Sequence, residues 1–372
     1  PARVAFSVSL RQLRQPATRT LPAATHLLRA RTTFLRSCVL FARAEALRRV
    51  LAQATLRLSE DILMKIVILD GGVLNPGDVD WGPVTALGDV SIYDETSKDQ
   101  LAERARGADV LLTNKTPLLK EDLPALESVR MVGVLATGYN IIDTEALAQR
   151  GIPVCNVVAY GVSDVAQHAM ALLLELCRHT SLHTQSVKNG DWQKSKQWCY
   201  WKVPPVCLEG MTMGLIGFGS IGRRMGELAH AFGMNVLAQC RTPKNPPAYS
   251  PFAFATLEHL ICASDVISLH CPLTKETQHI INAKTLSNMR KGAILLNTSR
   301  GPLVDEAAAA AALKSGQLGG LGTDVLSEEP PSPDNPLLSA PNTLITPHIA
   351  WATTRARQNI IDLTAENIRR WQ

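Results

Sequence analysis

From Met64 onward the chain repeats a two-part pattern, a short run of β-branched and aliphatic residues followed by a longer stretch with apolar residues at helical spacing. Short continuous apolar runs suit strands buried on both faces, and the intervening helices supply the crossovers that parallel strands need. KIVILD, ADVLLTN, VRMVGVLAT and IPVCNV mark four strands of a small α/β unit that ends near Gly161. The stretch DVAQHAMALLLELCRHTSLHTQSV, from Asp164 to Val187, reads as one helix. It leads into a Trp-rich segment, residues 188–209, where no period holds and irregular structure is expected. Six further runs follow: MTMGLIG (211–217), MNVLAQC (234–240), DVISLH (265–270), AILLNTS (293–299), LGGLGTDVL (318–326) and NTLITP (342–347). The expected fold is α/β, a doubly wound parallel-sheet dinucleotide-binding domain joined to a smaller α/β domain.

Composition matters mainly through its uneven distribution. The formal charge of +5 is made up of +8 on residues 1–63 and −3 on the remainder, so the body of the chain has no basic excess to suggest a nucleic-acid partner. Before Glu45 the chain has no acid and is rich in Arg, Ala, Leu, Ser and Thr, while Met64 is the first methionine and opens MKIVILDGG. Residues 1–63 are therefore expected to carry little fixed structure and to be no part of the native protein, with an organelle-import leader as the alternative. The eight cysteines include no C-x-x-C pair or zinc spacing, which points to a reducing, cytoplasmic setting and no metal. No apolar run reaches the roughly 18 to 20 residues of a membrane span.

Gly217-Phe218-Gly219-Ser220-Ile221-Gly222 fits G-x-G-x-x-G directly after a strand and at the start of a helical segment. Gly217 permits the turn, Gly219 admits a pyrophosphate, Gly222 lets helix and strand pack, and the helix N-terminus favours phosphate. A strand that serves NAD usually ends in an acid for the ribose hydroxyls. Here Cys240 stands 18 residues after Gly222, and Arg241, Thr242 and Lys244 follow. The missing carboxylate and the nearby cations favour NADP over NAD, since Arg241 can pair with a 2′-phosphate.

Three ionisable residues follow three successive strands: Arg300 in NTSRG, Glu329 in TDVLSEEP and His348 in ITPHIAW. Each alone reads as readily as a surface or structural residue. Together they offer a cation for a carboxylate, an acid for a carbonyl oxygen and a carboxylate to tune that acid, as reduction of a 2-oxo acid requires.

With GFGSIG, NTSRG, TDVLSEEP and TPHIAW in this order, Met64 to Gln372 resembles the D-2-hydroxyacid dehydrogenase family along nearly its whole length. HIAW and the TNK at 113–115 look most like its glycerate dehydrogenase, or hydroxypyruvate reductase, branch. The resemblance implies that Arg300 binds the substrate carboxylate and that His348 donates the proton, with its pKa raised by Glu329. Asp324 would hold the nicotinamide carboxamide. Thr137 and Gly138 would present backbone N–H groups to the carboxylate, and Lys115 would face the substrate. Cys271, Pro272, Thr277, Thr298, His348 and Ala350 would complete the cofactor contacts begun by Gly217, Gly219, Ser220, Ile221, Gly222, Arg241 and Thr242.

The resemblance further implies a flavodoxin-like substrate domain made discontinuously from residues 64–163 and 346–372, around a cofactor domain of residues 164–345. It makes residues 188–209 the arm of a homodimer. Among related activities, formate dehydrogenase is disfavoured because no Gln immediately precedes His348. Glyoxylate, 3-phosphoglycerate and D-lactate remain alternative substrates, and a corepressor-like NAD(H)-sensing module is the alternative that is not an enzyme.

Overall fold

Alternate residues of the early strands face opposite sides, and both sides are apolar: Ile66 and Ile68 join one buried cluster, Val67 and Leu69 another. Such strands are stable only with cover on both faces, which the crossover helices provide. The structure is a computed structural model that describes residues 63–372, so the expectation for the N-terminal segment falls outside the described residues. Five parallel strands, β1 (Lys65–Ile68), β2 (Asp89–Ile92), β3 (Val110–Thr113), β4 (Met131–Val134) and β5 (Val154–Asn156), form the first sheet in the order β2-β1-β3-β4-β5. This is the flavodoxin-like order.

The second sheet comprises β6 (Thr212–Ile216), β7 (Asn235–Gln239), β8 (Phe252–Phe254), β9 (Val266–Leu269), β10 (Ala293–Asn297), β11 (Leu318–Thr323) and β12 (Thr343–Ile345). Its order is β12-β11-β10-β9-β6-β7-β8, every pair parallel. The chain runs from β6 out to β8 on one side, then crosses to β9 and continues outward on the other. This reversal makes the β6/β9 boundary the topological switch point, the place where such sheets bind ligands.

The ten expected strands are present, and β2 and β8 are additional. Both are edges with a single partner: β2 is half solvated, and β8 is three residues beyond a proline-rich loop. Neither has the continuous apolar run of a central strand. The expected single helix is instead two, Val162–Arg178 and Thr180–Lys188. His179 breaks it at a left-handed φ of 48°. The Glu175 carboxylate accepts from Thr180 Oγ1 and from Ser181 N (3.0 Å), satisfying the start of the second helix. Residues 189–210 contain no helix or strand.

The helix Val162–Arg178 buries Ala166, Ala169, Leu173 and Leu176 against Met213, Leu215 and Met225 of the second sheet and its first helix. The C-terminal helix, Thr354–Trp371, instead buries Ile360, Ile361, Ala365 and Ile368 with Ile66, Ile68 and Met131 of the first sheet. It is fixed there by Arg357, whose guanidinium donates to Asp78 Oδ1 and Oδ2 (2.6 Å each), to Leu74 O (3.0 Å) and to Ala352 O (2.9 Å). The bidentate bond from Arg357 holds the Asp78 carboxyl at about 2, below its ordinary 3.8. A depressed carboxylate stabilises the folded state above the unfolded value and loses that contribution as pH falls through the folded one. Asp78→Asn should therefore lower the melting temperature at pH 5 to 7, with the gap to the unsubstituted protein closing between about pH 4 and pH 2. Melting curves across that range check it; a gap that does not change with pH contradicts the pairing.

Candidate active site

Beyond β6 the chain must turn sharply into the helix Ser220–Ala231. Gly217 adopts φ +97°, and a Cβ there would stand 2.5 Å from the His270 carbonyl carbon. At Gly222 a Cβ would lie 2.2 Å from Gly217 O, so helix and turn touch only because both positions are bare. Gly219 differs, since a Cβ there would meet nothing within 4 Å. That opening lies before the first N–H groups of the helix, at Ser220, Ile221 and Gly222, which have no acceptor within their own helix. Phe218 seals the underside, packed on Phe252 and Phe254 with ring centroids 5.2 and 5.8 Å away. The Arg223 guanidinium lies 4.6 Å over the Phe218 ring and donates to Lys244 O and Asn245 O, holding the loop after β7 in place.

That loop exposes Arg241 and Thr242, while Cys240 is half buried. Across the mouth of the pocket, Arg241 is close enough to Glu276 to help lower the carboxyl pKa there, after the bonds from Thr274 and from the backbone. On the β9 side, Thr277 Oγ1 donates to Pro272 O (2.7 Å) and closes a turn. The Cys271 thiol is buried, which pushes it up to about 11, so only its backbone is available for contact; its carbonyl accepts from Ser299 Oγ (2.7 Å). Thr298 Oγ1 is buried with no partner. An open backbone cradle at the switch point and an orphaned hydroxyl just after β10, the strand beside β9, fit a nicotinamide dinucleotide.

The chemistry gathers where the loops after β10, β11 and β12 meet the loops of the first sheet. His348 Nδ1 lies 2.6 Å from Glu329 Oε2, and Glu329 Oε1 accepts from Leu326 N (3.0 Å). Burial raises the Glu329 carboxyl, but the bonds from His348 and Leu326 outweigh it and leave the group below its usual range. Arg300 follows β10, with its carbonyl fixed by Asn297 Nδ2 (2.9 Å). Its guanidinium lies against Gly138, where a Cβ would stand 1.9 Å from Arg300 Nη2. Thr137 spends its hydroxyl on Val157 O (2.9 Å) and its carbonyl on Asn156 Nδ2 (2.7 Å), which fixes this loop. Lys115 opens on the same cleft. Loss of hydration among the cleft walls lowers its ammonium pKa; Glu329 opposes that effect and Arg300 adds to it.

Asp324 directly follows β11. It is 1% exposed, and its carboxylate accepts from Thr346 Oγ1 (2.6 Å), Ile349 N (2.9 Å) and Ala350 N (2.8 Å). Its oxygens brace the turn that carries His348, with the Ala350 N–H among the donors. Several supporting residues are not among those that the sequence motifs single out. Asp70 accepts from the N–H groups of Asn114 (2.7 Å), Lys115 and Thr116 (2.6 Å) and so sets the Lys115 loop. Trp351 Nε1 donates to His348 O (2.8 Å), and His168 Nε2 lies 2.9 Å from Thr346 Oγ1. Asp70 does end the first apolar run, a position where an acid can cap neighbouring loops. His168 gave no such signal, sitting within a helical stretch.

A doubly wound sheet with a glycine-rich turn at its switch point, facing a His–carboxylate pair and an arginine, defines a dinucleotide-dependent oxidoreductase. Residues 170–350 match the family model described as D-isomer specific 2-hydroxyacid dehydrogenase, NAD binding domain. The chain is 46% identical over 309 residues to a hydroxypyruvate reductase of Blautia hydrogenotrophica, covering 82% of this chain and 96% of that protein. It is 39% identical over 279 residues to a glycerate dehydrogenase of Methylorubrum extorquens, covering 74% and 87%. Among solved structures it is similar to an NADPH-dependent glyoxylate/hydroxypyruvate reductase of Sinorhizobium meliloti in complex with NADP and malonate, with TM-score 0.70, 27% identity and coverage of 83% and 94%. The chain belongs to the D-2-hydroxyacid dehydrogenase family, in its glycerate dehydrogenase and hydroxypyruvate reductase branch, and is a nicotinamide-dependent enzyme of that class.

The close approach of Gly138 and Arg300 yields a test. In Gly138→Ala the added methyl must displace the guanidinium, a flexible group, so folding should survive. KM for the 2-oxo acid should rise about 10-fold or more, as when one charge-assisted bond is lost, with cofactor affinity unchanged. Steady-state kinetics and cofactor titration check this; an unchanged KM would mean that Arg300 does not meet substrate.

Proposed function

We propose that the enzyme reduces hydroxypyruvate, and glyoxylate as a second substrate, to D-glycerate and glycolate, with His348 as the proton donor. The observation that carries this reading is the 2.6 Å pairing of His348 Nδ1 with Glu329 Oε2, which leaves Nε2 free to face a substrate carbonyl. The names of the relatives support the substrate class. A nicotinamide dinucleotide held at the glycine-rich turn would supply the hydride for C2 of the 2-oxo acid, the two electrons that replace the carbonyl π bond. Arg300 holds the carboxylate and draws charge from the carbonyl, as a planar guanidinium does best. The N–H groups of Thr137 and Gly138 share that anion, with the Lys115 ammonium beside them. His348 Nε2 passes its proton to the O2 alkoxide, which balances the reduction. Glu329 fixes the ring and steadies the imidazolium before transfer.

NADP(H) is the proposed preference. Arg241 is the cation that would meet a 2′-phosphate, and Cys240 stands where a carboxylate would repel it. Glu276 is close enough to Arg241 to feel its charge and would swing aside or share that cation. A homodimer is proposed through residues 188–209, which expose Trp192, Trp198 and Trp201 on a frame held by the Trp192 Nε1 to Trp198 O bond (3.0 Å). A cytoplasmic, reducing setting agrees with the seven cysteines that are free among the described residues. Among those residues no helix is long and apolar enough to cross a membrane.

Following NADPH absorbance with hydroxypyruvate tests the activity; no turnover with any 2-oxo acid would favour the sensing module. His348→Ala should lose roughly 10²-fold or more in kcat, the scale of general acid catalysis. Arg300→Lys should raise KM and lower kcat, with cofactor binding intact. For the cofactor, kcat/KM with NADPH should exceed that with NADH by roughly 10-fold or more, the value of one charge-assisted bond, and Arg241→Ala should erase most of the difference. A native preference for NADH, or an Ala variant with unchanged preference, overturns the assignment to Arg241.

A further inference from the structure

His348 has a backbone φ of 55°, a conformation that a residue with a side chain holds only under constraint. The constraint is the turn 346–350. Thr346 N continues the sheet ladder to Thr323 O (3.0 Å), His348 N then bonds back to Thr346 O (2.9 Å), and Asp324 gathers Thr346 Oγ1, Ile349 N and Ala350 N. Besides Glu329 on the His348 ring, a side chain from a helix reaches in at the base of the turn. His168, on the helix Val162–Arg178, places Nε2 at 2.9 Å from Thr346 Oγ1 and 3.5 Å from Asp324 Oδ1, with its side chain 21% exposed.

Counting protons fixes the direction of this chain. Asp324 Oδ1 is 2.6 Å from the Thr346 hydroxyl, whose single proton goes to the carboxylate. The hydroxyl oxygen must then accept from His168, which requires the Nε2–H tautomer. The sequence of bonds is His168 Nε2–H to Thr346 Oγ1–H to Asp324 Oδ1. A second rung joins the same two segments: Asp164, on the first turn of that helix, accepts from Thr353 Oγ1 (2.6 Å) and Arg355 Nη2 (3.0 Å).

We propose that His168 is a positioning residue for catalysis, clamping the Thr346–Asp324 pair and thereby fixing the turn that presents His348 to the substrate. The proposal rests on the reading of His348 as proton donor. Without the clamp the Thr346 hydroxyl is held by Asp324 alone, and Asp324 loses the His168 ring nitrogen 3.5 Å away. The His348 ring is then held less firmly, although its bond to Glu329 is not touched directly.

The test uses the full-length enzyme with NADPH and hydroxypyruvate. His168→Leu should lower kcat about 10-fold, within the cost of misplacing a reacting group by a fraction of an ångström, with KM for hydroxypyruvate changed little. His168→Gln returns an amide N–H close to the place of Nε2 and should recover most of that loss. In a His348→Ala background His168→Leu should cost nothing further, because residues that act through one another are not additive. If His168→Leu fails to fold, Thr346→Val removes the middle hydroxyl and carries the same expectations. Normal kcat in the folded variant, no recovery with Gln, or an undiminished cost in the His348→Ala background each overturns the clamp and leaves the proposed function standing. Full turnover by His348→Ala itself overturns the assignment of the proton donor and the clamp with it.

Discussion

The buried carboxylate of Asp324 is the interaction on which the catalytic end of this fold depends. A charge with 1% exposure persists only where donors surround it, and here the donors are the hydroxyl and N–H groups of the turn that carries His348. The dependence runs both ways. The carboxylate needs the turn for solvation, and the turn needs the carboxylate to hold a left-handed residue between Pro347 and Ile349. Glu329 completes the arrangement from the neighbouring loop by taking the His348 ring from the side. Main chain and ring are thus fixed by two different acids.

The parts of the fold legible in the sequence are those with strong local causes. The central strands are continuous apolar runs because both their faces are buried, and no loop has reason to look that way. The edges β2 and β8 gave no comparable signal because half their surface meets water. The division at His179 was hidden since apolar residues continue through it, and what breaks the helix is the side chain of Glu175 bonding forward to Thr180 and Ser181. Periodicity describes faces; it does not register a capping carboxylate.

The site divides in the same way. Arg300, Glu329 and His348 were legible because each follows a strand of the second sheet, and the glycine motif because its three glycines have three separate steric reasons. Asp70 and His168 act across 44 and 178 positions of sequence, on Asn114 and Thr346 respectively, and only the folded chain brings them to their partners. Asp324 was legible as a candidate from its place after β11, but its brace to the His348 turn was not, since the partners Thr346, Ile349 and Ala350 lie 22 to 26 positions further along the chain.

The Glu329–His348 pair has a consequence for how substrate arrives. With histidine protonated, the pair carries no net charge, and its carboxylate has both oxygens engaged, on His348 and on Leu326 N. Arg300 and Lys115, both positive, face the same cleft, while the Asp70 carboxylate near Lys115 is engaged by the N–H groups of Asn114, Lys115 and Thr116. Field lines between low-dielectric walls converge on such a spot, so a small monoanion is drawn in before it makes any contact. The rate of encounter should then fall as ionic strength rises and the screening length shrinks towards the width of the cleft.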